Sequence, residues 1–417
     1  MSRRLFQTII LLLSAFAISL PAAAQGLRDA EIEAILREYT DPILEAAGLV
    51  PEDVNIFVIQ DPSLNAFVTG GQNIFIHTGL IIRSKTPGQL KGVIAHETGH
   101  IAGAHGVRRA ADLAASARSG YISIGLGIIA IAAGAPELGA ALIANSQRVT
   151  ALSFFTHTRA QESAADQAAL TYLERLGESP KGLVDFFEEF RYQEALSQAR
   201  RFEYFRTHPL ASDRIARLRR RAEETGLNDV PPSDRSVQQM AMMHAKLIGF
   251  LERPSKVYQR YPLTDTSLPA RYARAHSAIN TLDFGVALTE AQHLIEAEPE
   301  NPYFHELHGF ILFQSGRVEE SIEPYEKAVE YSDGQPLLLV SLARSMIARG
   351  DPGDIEYGET ALRRSIIAEP ENAFAWSELA KALDKQGRRA EAELATCLLY
   401  TSPSPRDQRG SRMPSSA

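Results

Sequence analysis

The chain has 417 residues, 45% of them hydrophobic, and its 43 basic and 51 acidic side chains leave a net charge of −8. That length suggests two or three domains and is ample for a large core. The acidic balance, with no basic stripe carrying interleaved aromatics, argues against a nucleic-acid partner.

Arg3 and Arg4 precede an apolar run, Leu5–Leu20, which ends in Pro21 and three alanines. A charged start, an apolar middle and a small-residue cleavage site make residues 1–24 a signal peptide, so the mature chain is expected to be exported. Export would permit disulfides, yet the sole cysteine is Cys397. It opens CLLYTSPSPRD (Cys397–Asp407), which reads as a translated sequencing adaptor, so 397–417 is set aside as a non-native tail.

Leu27–Ala47 has helical apolar spacing (Ile32, Ile35, Leu36, Tyr39, Ile43, Leu44) and stops at Gly48. Val54–Gln60 reads as a strand, followed by two short strands, Ala66–Thr69 and Asn73–His77, on either side of a Gly70-Gly71 turn. Asn73–His77 is the candidate edge strand for pairing with an extended substrate backbone, with a purely structural hairpin as the equal alternative and His77 a strand residue rather than a ligand. A short helix, Leu80–Arg83, leads to Thr86 and Pro87, the cap and first-turn proline of the next helix.

That helix carries GVIAHETGHIAGAH, Gly92–His105, with His96-Glu97-Thr98-Gly99-His100 at its centre. Residues four apart share a helix face, so His96 and His100 can converge on one ion. Glu97 points about 100° away, where it can reach a water at the ion's open position without being a ligand. Two imidazoles with an open position suit a catalytic zinc, one per chain, and Glu97 is then the general base.

Tyr121–Ala144 is apolar but broken by glycines and Pro136. Its uninterrupted core of about 15 residues is short for a membrane span. A buried or lid-like helical hairpin is expected there, with peripheral membrane contact as the minor alternative. Thr158–Leu176 is a strong helix with a small-residue face (Ala164, Ala165, Ala168, Ala169), and Glu162 and Asp166 share another face.

Two residues compete as the third zinc ligand. His105 follows His100 by five residues, one short of the longer metzincin spacing, and one residue is about 100° on a helix. Glu162 would serve from the second helix, with Asp166 one turn on accepting the outer N–H of a ligating histidine. The spacing favours Glu162.

Pro180–Arg201 reads as a charged helix, and FRTHPLASDRIARL then places His208 in a turn before a helix from about Ser212. Pro231-Pro232 marks a linker and Gln238–Leu251 an amphipathic helix, so 25–228 forms one domain and 229–267 a connection. From Leu268 the pattern becomes repetitive. AEPEN occurs at Ala297–Asn301 and again at Ala368–Asn372, and units near 268–301, 302–335, 336–372 and 373–396 place small or apolar residues where tetratricopeptide repeats use them. Such helix pairs stack into a solenoid with a concave peptide-binding face. The expected fold is mainly α: an α+β catalytic domain with a small sheet, then an α-solenoid over 268–396.

A signal peptide, His-Glu-x-x-His, Glu162-x-x-x-Asp166, the Thr207-His208-Pro209-Leu210 loop and C-terminal repeats, in this order, resemble the zinc metallopeptidase family of the CAAX prenyl proteases. Within that family the chain is most similar to the soluble periplasmic members with repeats. The resemblance implies a gluzincin-type domain with zinc on His96, His100 and Glu162, Glu97 as base and Asp166 behind a ligand. It also implies that His208 can cap the zinc as a fourth ligand or act in catalysis, and that Asn65-Ala66-Phe67 leads into the active-site strand. The expected activity is periplasmic endopeptidase cleavage of misfolded or stalled outer-membrane proteins, with the repeats binding substrate or assembly machinery. A chaperone or scaffold with little proteolysis is the alternative; the intact Glu97 favours the enzyme.

Overall fold

The computed structural model describes residues 25–69, 72–105, 118, 121–126, 128–130, 138, 141–143, 145–196, 208 and 212–401. The expected signal peptide, the Gly70-Gly71 turn and the tail from 402 onward lie outside the described residues.

The sheet forms first in the chain. β1 (Gln25–Leu27), β2 (Asn55–Gln60), β3 (Ala66–Thr69) and β4 (Asn73–His77) assemble in the order β1-β2-β4-β3. β2 and β4 run parallel, and the two other pairings are antiparallel. Alternation divides the faces. Val58, Ala66, Ile74 and Ile76 are buried, whereas Phe57, Phe75 and Phe67 stack in a row with ring centroids 5.1 Å apart at each step. β4 is therefore an interior strand, with its backbone groups already taken on both sides. The expectation that Asn73–His77 is the edge is corrected: β3 is the outer strand, and it lies against the histidine-bearing helix.

α1 (Ala30–Ala46) is capped by Asp29, whose carboxylate accepts from the Ile32 N–H at 2.9 Å, and buries the apolar stripe read from its spacing. α2 (Thr78–Arg83) leads to α3 (Pro87–Ala102), which opens with the Thr86 cap and Pro87. α4 (Ser146–Arg175) begins a dozen residues before the expected start, and α5 (Lys181–Leu196) and α6 (Ser212–Glu224) complete the domain.

α3 is packed closely against its neighbours at two glycines. A Cβ on Gly99 would meet the Ala165 carbonyl of α4 at 2.9 Å, and one on Gly92 would meet Leu183 of α5 at 2.8 Å. The small-residue face of α4 thus lets its backbone touch α3, which brings Glu162 and Asp166 opposite the histidines.

In the Tyr121–Ala144 segment the described residues correct the expectation of burial. Tyr121, Ile122, Leu126, Ile128, Ile129 and Leu138 are exposed, and only Ser123 is buried, with its hydroxyl donating to the Leu142 carbonyl at 2.9 Å. Among the described residues no helix is long and apolar enough to cross a membrane.

α7 (Asp234–Leu251) serves two cores. Met240, Met243 and Leu247 join the core of the N-terminal domain, while Met242, Ala245 and Ile248 pack with the repeats. After α8 (Pro254–Arg260) come four antiparallel pairs: α9 (Leu268–Asn280) with α10 (Phe284–Ala297), α11 (Pro302–Gln314) with α12 (Val318–Tyr331), α13 (Pro336–Arg349) with α14 (Pro352–Ala368), and α15 (Ala373–Lys385) with α16 (Arg389–Thr401). Three of the turns inside the pairs need a left-handed residue and use glycine: Gly316 at φ 82°, Gly350 at 90° and Gly387 at 75°. The first pair places Leu282 there, at φ 59°.

Candidate metal centre

His96 and His100 stack one turn apart on α3 and aim their Nε2 atoms at one point, 3.1 Å from each other. Across from them, Glu162 of α4 places Oε2 3.5 Å from His96 Nε2 and Oε1 3.4 Å from His100 Nε2. His208 closes the group, with Nδ1 3.0 Å from Glu162 Oε2 and 3.3 Å from His96 Nε2. One ligand atom from each of His96, His100, Glu162 and His208 lies within 4.8 Å of all the others, and all four residues are buried. Three imidazoles and a carboxylate, sealed from water and converging on one point, are the donor set of a divalent transition metal.

The charges around this point are anchored in turn. Arg214 of α6 donates from Nε and Nη2 to the two Asp166 oxygens at 2.6 and 2.7 Å, and its Nη1 lies 3.0 Å from Glu162 Oε2. Burial would raise both carboxyls; Arg214 nonetheless holds Asp166 below the usual carboxylate range, and His208 and His96 hold Glu162 well below it. Both are therefore carboxylates at neutral pH, as ligand and support require. Asp166 Oδ1 is 3.1 Å from His96 Nδ1, the outer nitrogen, at an angle short of a good hydrogen bond. Burial alone would lower the His96 pKa, but Asp166 and Glu162 bring it to about 9. Burial and the neighbouring His96 together push His100 well below the usual histidine value.

Glu97 is fully buried beside the group, and neither of its oxygens has a hydrogen-bond partner. Its nearest basic neighbour is His208, with Nε2 3.6 Å from Oε1. Burial pushes its pKa up, only partly offset by His208 and His96. A buried carboxyl with two idle oxygens is costly unless something outside the protein chain uses them.

The structure thus brings together His96, Glu97, His100, Glu162, Asp166 and His208. His77 stays apart, its Nδ1 2.7 Å from Ser63 Oγ at the end of β4. His105 is outside the four-residue group, although its ring touches His100. Arg214 is the residue the sequence reading missed. The signal was present: Arg214 lies on the same buried stripe of α6 as Ile215, Leu218 and Ala222, and a charged residue on such a stripe needs a buried partner.

Comparison with known proteins agrees with this geometry. Residues 27–222 match Peptidase family M48, and residues 272–336 match a Tetratricopeptide repeat. Over 352 residues the chain is 26% identical to the Beta-barrel assembly-enhancing protease of Escherichia coli (strain K12), covering 82% of this chain and 69% of that one. The protein of the same name from Yersinia pestis is 22% identical over 386 residues, 90% of this chain and 76% of that one. Metalloprotease LoiP of Escherichia coli (strain K12) matches only 181 residues, at 26% identity, covering 42% of this chain and 66% of its own length. Residues 27–222 are thus a peptidase family M48 metalloprotease domain, and the chain carries tetratricopeptide repeats behind it.

Proposed function

We propose that this chain is a zinc-dependent endopeptidase of the periplasm that cleaves misfolded or stalled polypeptides, outer-membrane proteins among them. The carrying observation is the convergence of His96, His100, Glu162 and His208 beside the buried Glu97, whose oxygens have no hydrogen-bond partner. A zinc ion held by His96, His100 and Glu162 would supply Lewis-acid polarisation of the scissile carbonyl and of the attacking water.

The remaining work falls to the chain. Glu97 takes the proton of the attacking water and passes it to the leaving amine, and burial makes it a stronger base than a solvated carboxylate. Arg214 and Asp166 fix Glu162 and His96 so that the ligand atoms are set before substrate arrives. β3 offers its outer edge next to α3, where an extended backbone can pair regardless of its side chains, which fits unfolded substrates. His208 converges with His96, His100 and Glu162 and would have to swing away before a substrate carbonyl could enter.

The division into a protease domain over 25–228, a connecting region over 229–267 and repeats over 268–396 gives each step its place. The repeats hold a substrate segment or a partner; the relatives named for β-barrel assembly favour the outer-membrane assembly machinery. Elemental analysis should find one zinc per chain, and casein cleavage should stop with a chelator and return with added zinc. Metal-free protein, or cleavage indifferent to the chelator, would overturn the reading.

A further inference from the structure

The end of α3 does something a helix end does not ordinarily do. Gly103 is still right-handed at φ −74°, but Ala104 turns left-handed at φ 50°, a conformation a residue with a Cβ adopts at a cost of about 1 kcal/mol or more. The turn folds His105 back over the helix it has just left. Its ring then lies where a Gly103 side chain would be, so that any Cβ at 103 would collide with Nε2 and its neighbouring ring carbons. The ring is buried, and its Nδ1 is 2.9 Å from His100 Nδ1, with the rings edge-on and centroids 5.0 Å apart.

His100 presents Nε2 to the metal point, so its Nδ1 carries the proton and needs an acceptor. The neutral His105 ring can accept there, with its own proton on Nε2. His96 has Asp166 in the corresponding place. A strained alanine, a glycine with no room for a side chain and a buried ring in contact all serve one juxtaposition.

We propose that His105 is a positioning residue for the metal site: its Nδ1 accepts the proton of His100 Nδ1 and so fixes the tautomer and the aim of that ligand. The role rests on the metal reading above. It differs from ligation, because His105 lies behind His100 and outside the converging group.

Zinc affinity of the full-length protein, measured by competition with a chromogenic chelator, tests this together with the cobalt(II) absorption spectrum. His105→Ala should weaken zinc binding by about 10–100-fold while retaining a four-coordinate cobalt spectrum. His105→Asn, which can put an amide oxygen near the Nδ1 position, should recover most of that loss. Gly103→Ala keeps His105 but displaces its ring, and should lose affinity as His105→Ala does. Thermal melts of the metal-free proteins separate this from a failure to fold, and Gly103→Ala and His105→Asn carry the test if His105→Ala is unfolded. Affinity within about twofold of wild type in folded His105→Ala would overturn the proposal, as would an Asn variant no better than Ala. A cobalt spectrum of changed coordination number in folded His105→Ala would make His105 a ligand and overturn it too. A wild-type protein that binds no zinc would instead defeat the metal reading itself.

Discussion

His208 touches both halves of the proposed chemistry, 3.0 Å from Oε2 of Glu162, the proposed ligand, and 3.6 Å from Oε1 of Glu97, the proposed base. On the proposed mechanism, an imidazole in that place occupies the position the attacking water needs, which makes the enzyme self-restrained. His208→Ala should raise casein turnover severalfold while one zinc per chain remains on His96, His100 and Glu162. Lower turnover with zinc retained would instead make His208 a donor to the oxyanion of the transition state. At this scale much of the site was legible in advance, because an i, i+4 pair of histidines on a capped helix dictates its own geometry. Arg214 was not, because it meets Asp166 across 48 residues of chain. Nor was His105, whose place depends on a left-handed alanine that no helical spacing anticipates.

The histidine-bearing helix α3 is positioned by what it lacks. Gly99 leaves room for the Ala165 carbonyl of α4, and Gly92 for Leu183 of α5. A methyl at 99 cannot be absorbed by a side-chain movement, since the obstacle is backbone. Gly99→Ala should therefore push α3 and α4 apart and cost about 1–3 kcal/mol of stability. It should also weaken zinc binding by withdrawing Glu162, even though no ligand is changed. Thermal melts with and without zinc measure the two effects, and a variant with wild-type affinity would show that the close approach is dispensable. The sequence announced most elements, because caps, prolines and apolar periods are local. It left Asn73–His77 open between an edge strand and a structural hairpin, since strand order depends on the β2–β4 crossover pairing, and the hairpin is what forms. It also left 121–144 open between a buried and a lid-like hairpin, and the exposure of the described apolar residues there removes only the buried reading.

Across the whole molecule, the protease domain and the repeats share a buried ionic clasp. Lys246 of α7 binds Asp29 Oδ2 at 2.8 Å and Glu31 Oε2 at 3.2 Å, the Tyr272 hydroxyl donates to Glu31 at 2.6 Å, and Arg28 reaches Glu369 at 2.7 Å. Near it lies Glu306 of α11, fully buried, with neither oxygen hydrogen-bonded. Burial raises its pKa well above the ordinary carboxylate value, an effect Lys246 only partly opposes. A carboxyl raised in the folded state contributes full stability below the unfolded pKa and loses it as pH climbs toward the folded one. Glu306→Gln, which cannot ionise, should melt about 2–4 °C above wild type at pH 8 and level with it at pH 4. A gap that is constant with pH would mean that Glu306 is ionised in place. The repeat units were readable because AEPEN marks two boundaries and glycine marks three turns. The clasp was not, since Asp29, Glu31, Lys246 and Glu306 each look like ordinary surface charge on an amphipathic helix.

The central claim is that Glu97 is the base of a metal-dependent hydrolysis, and one substitution tests it most directly. Glu97→Gln keeps size and shape and removes only the proton acceptor. Zinc content and melting temperature should remain those of wild type while casein cleavage falls by at least about 100-fold. Cleavage at the wild-type rate by a folded, zinc-loaded Glu97→Gln protein would contradict the account.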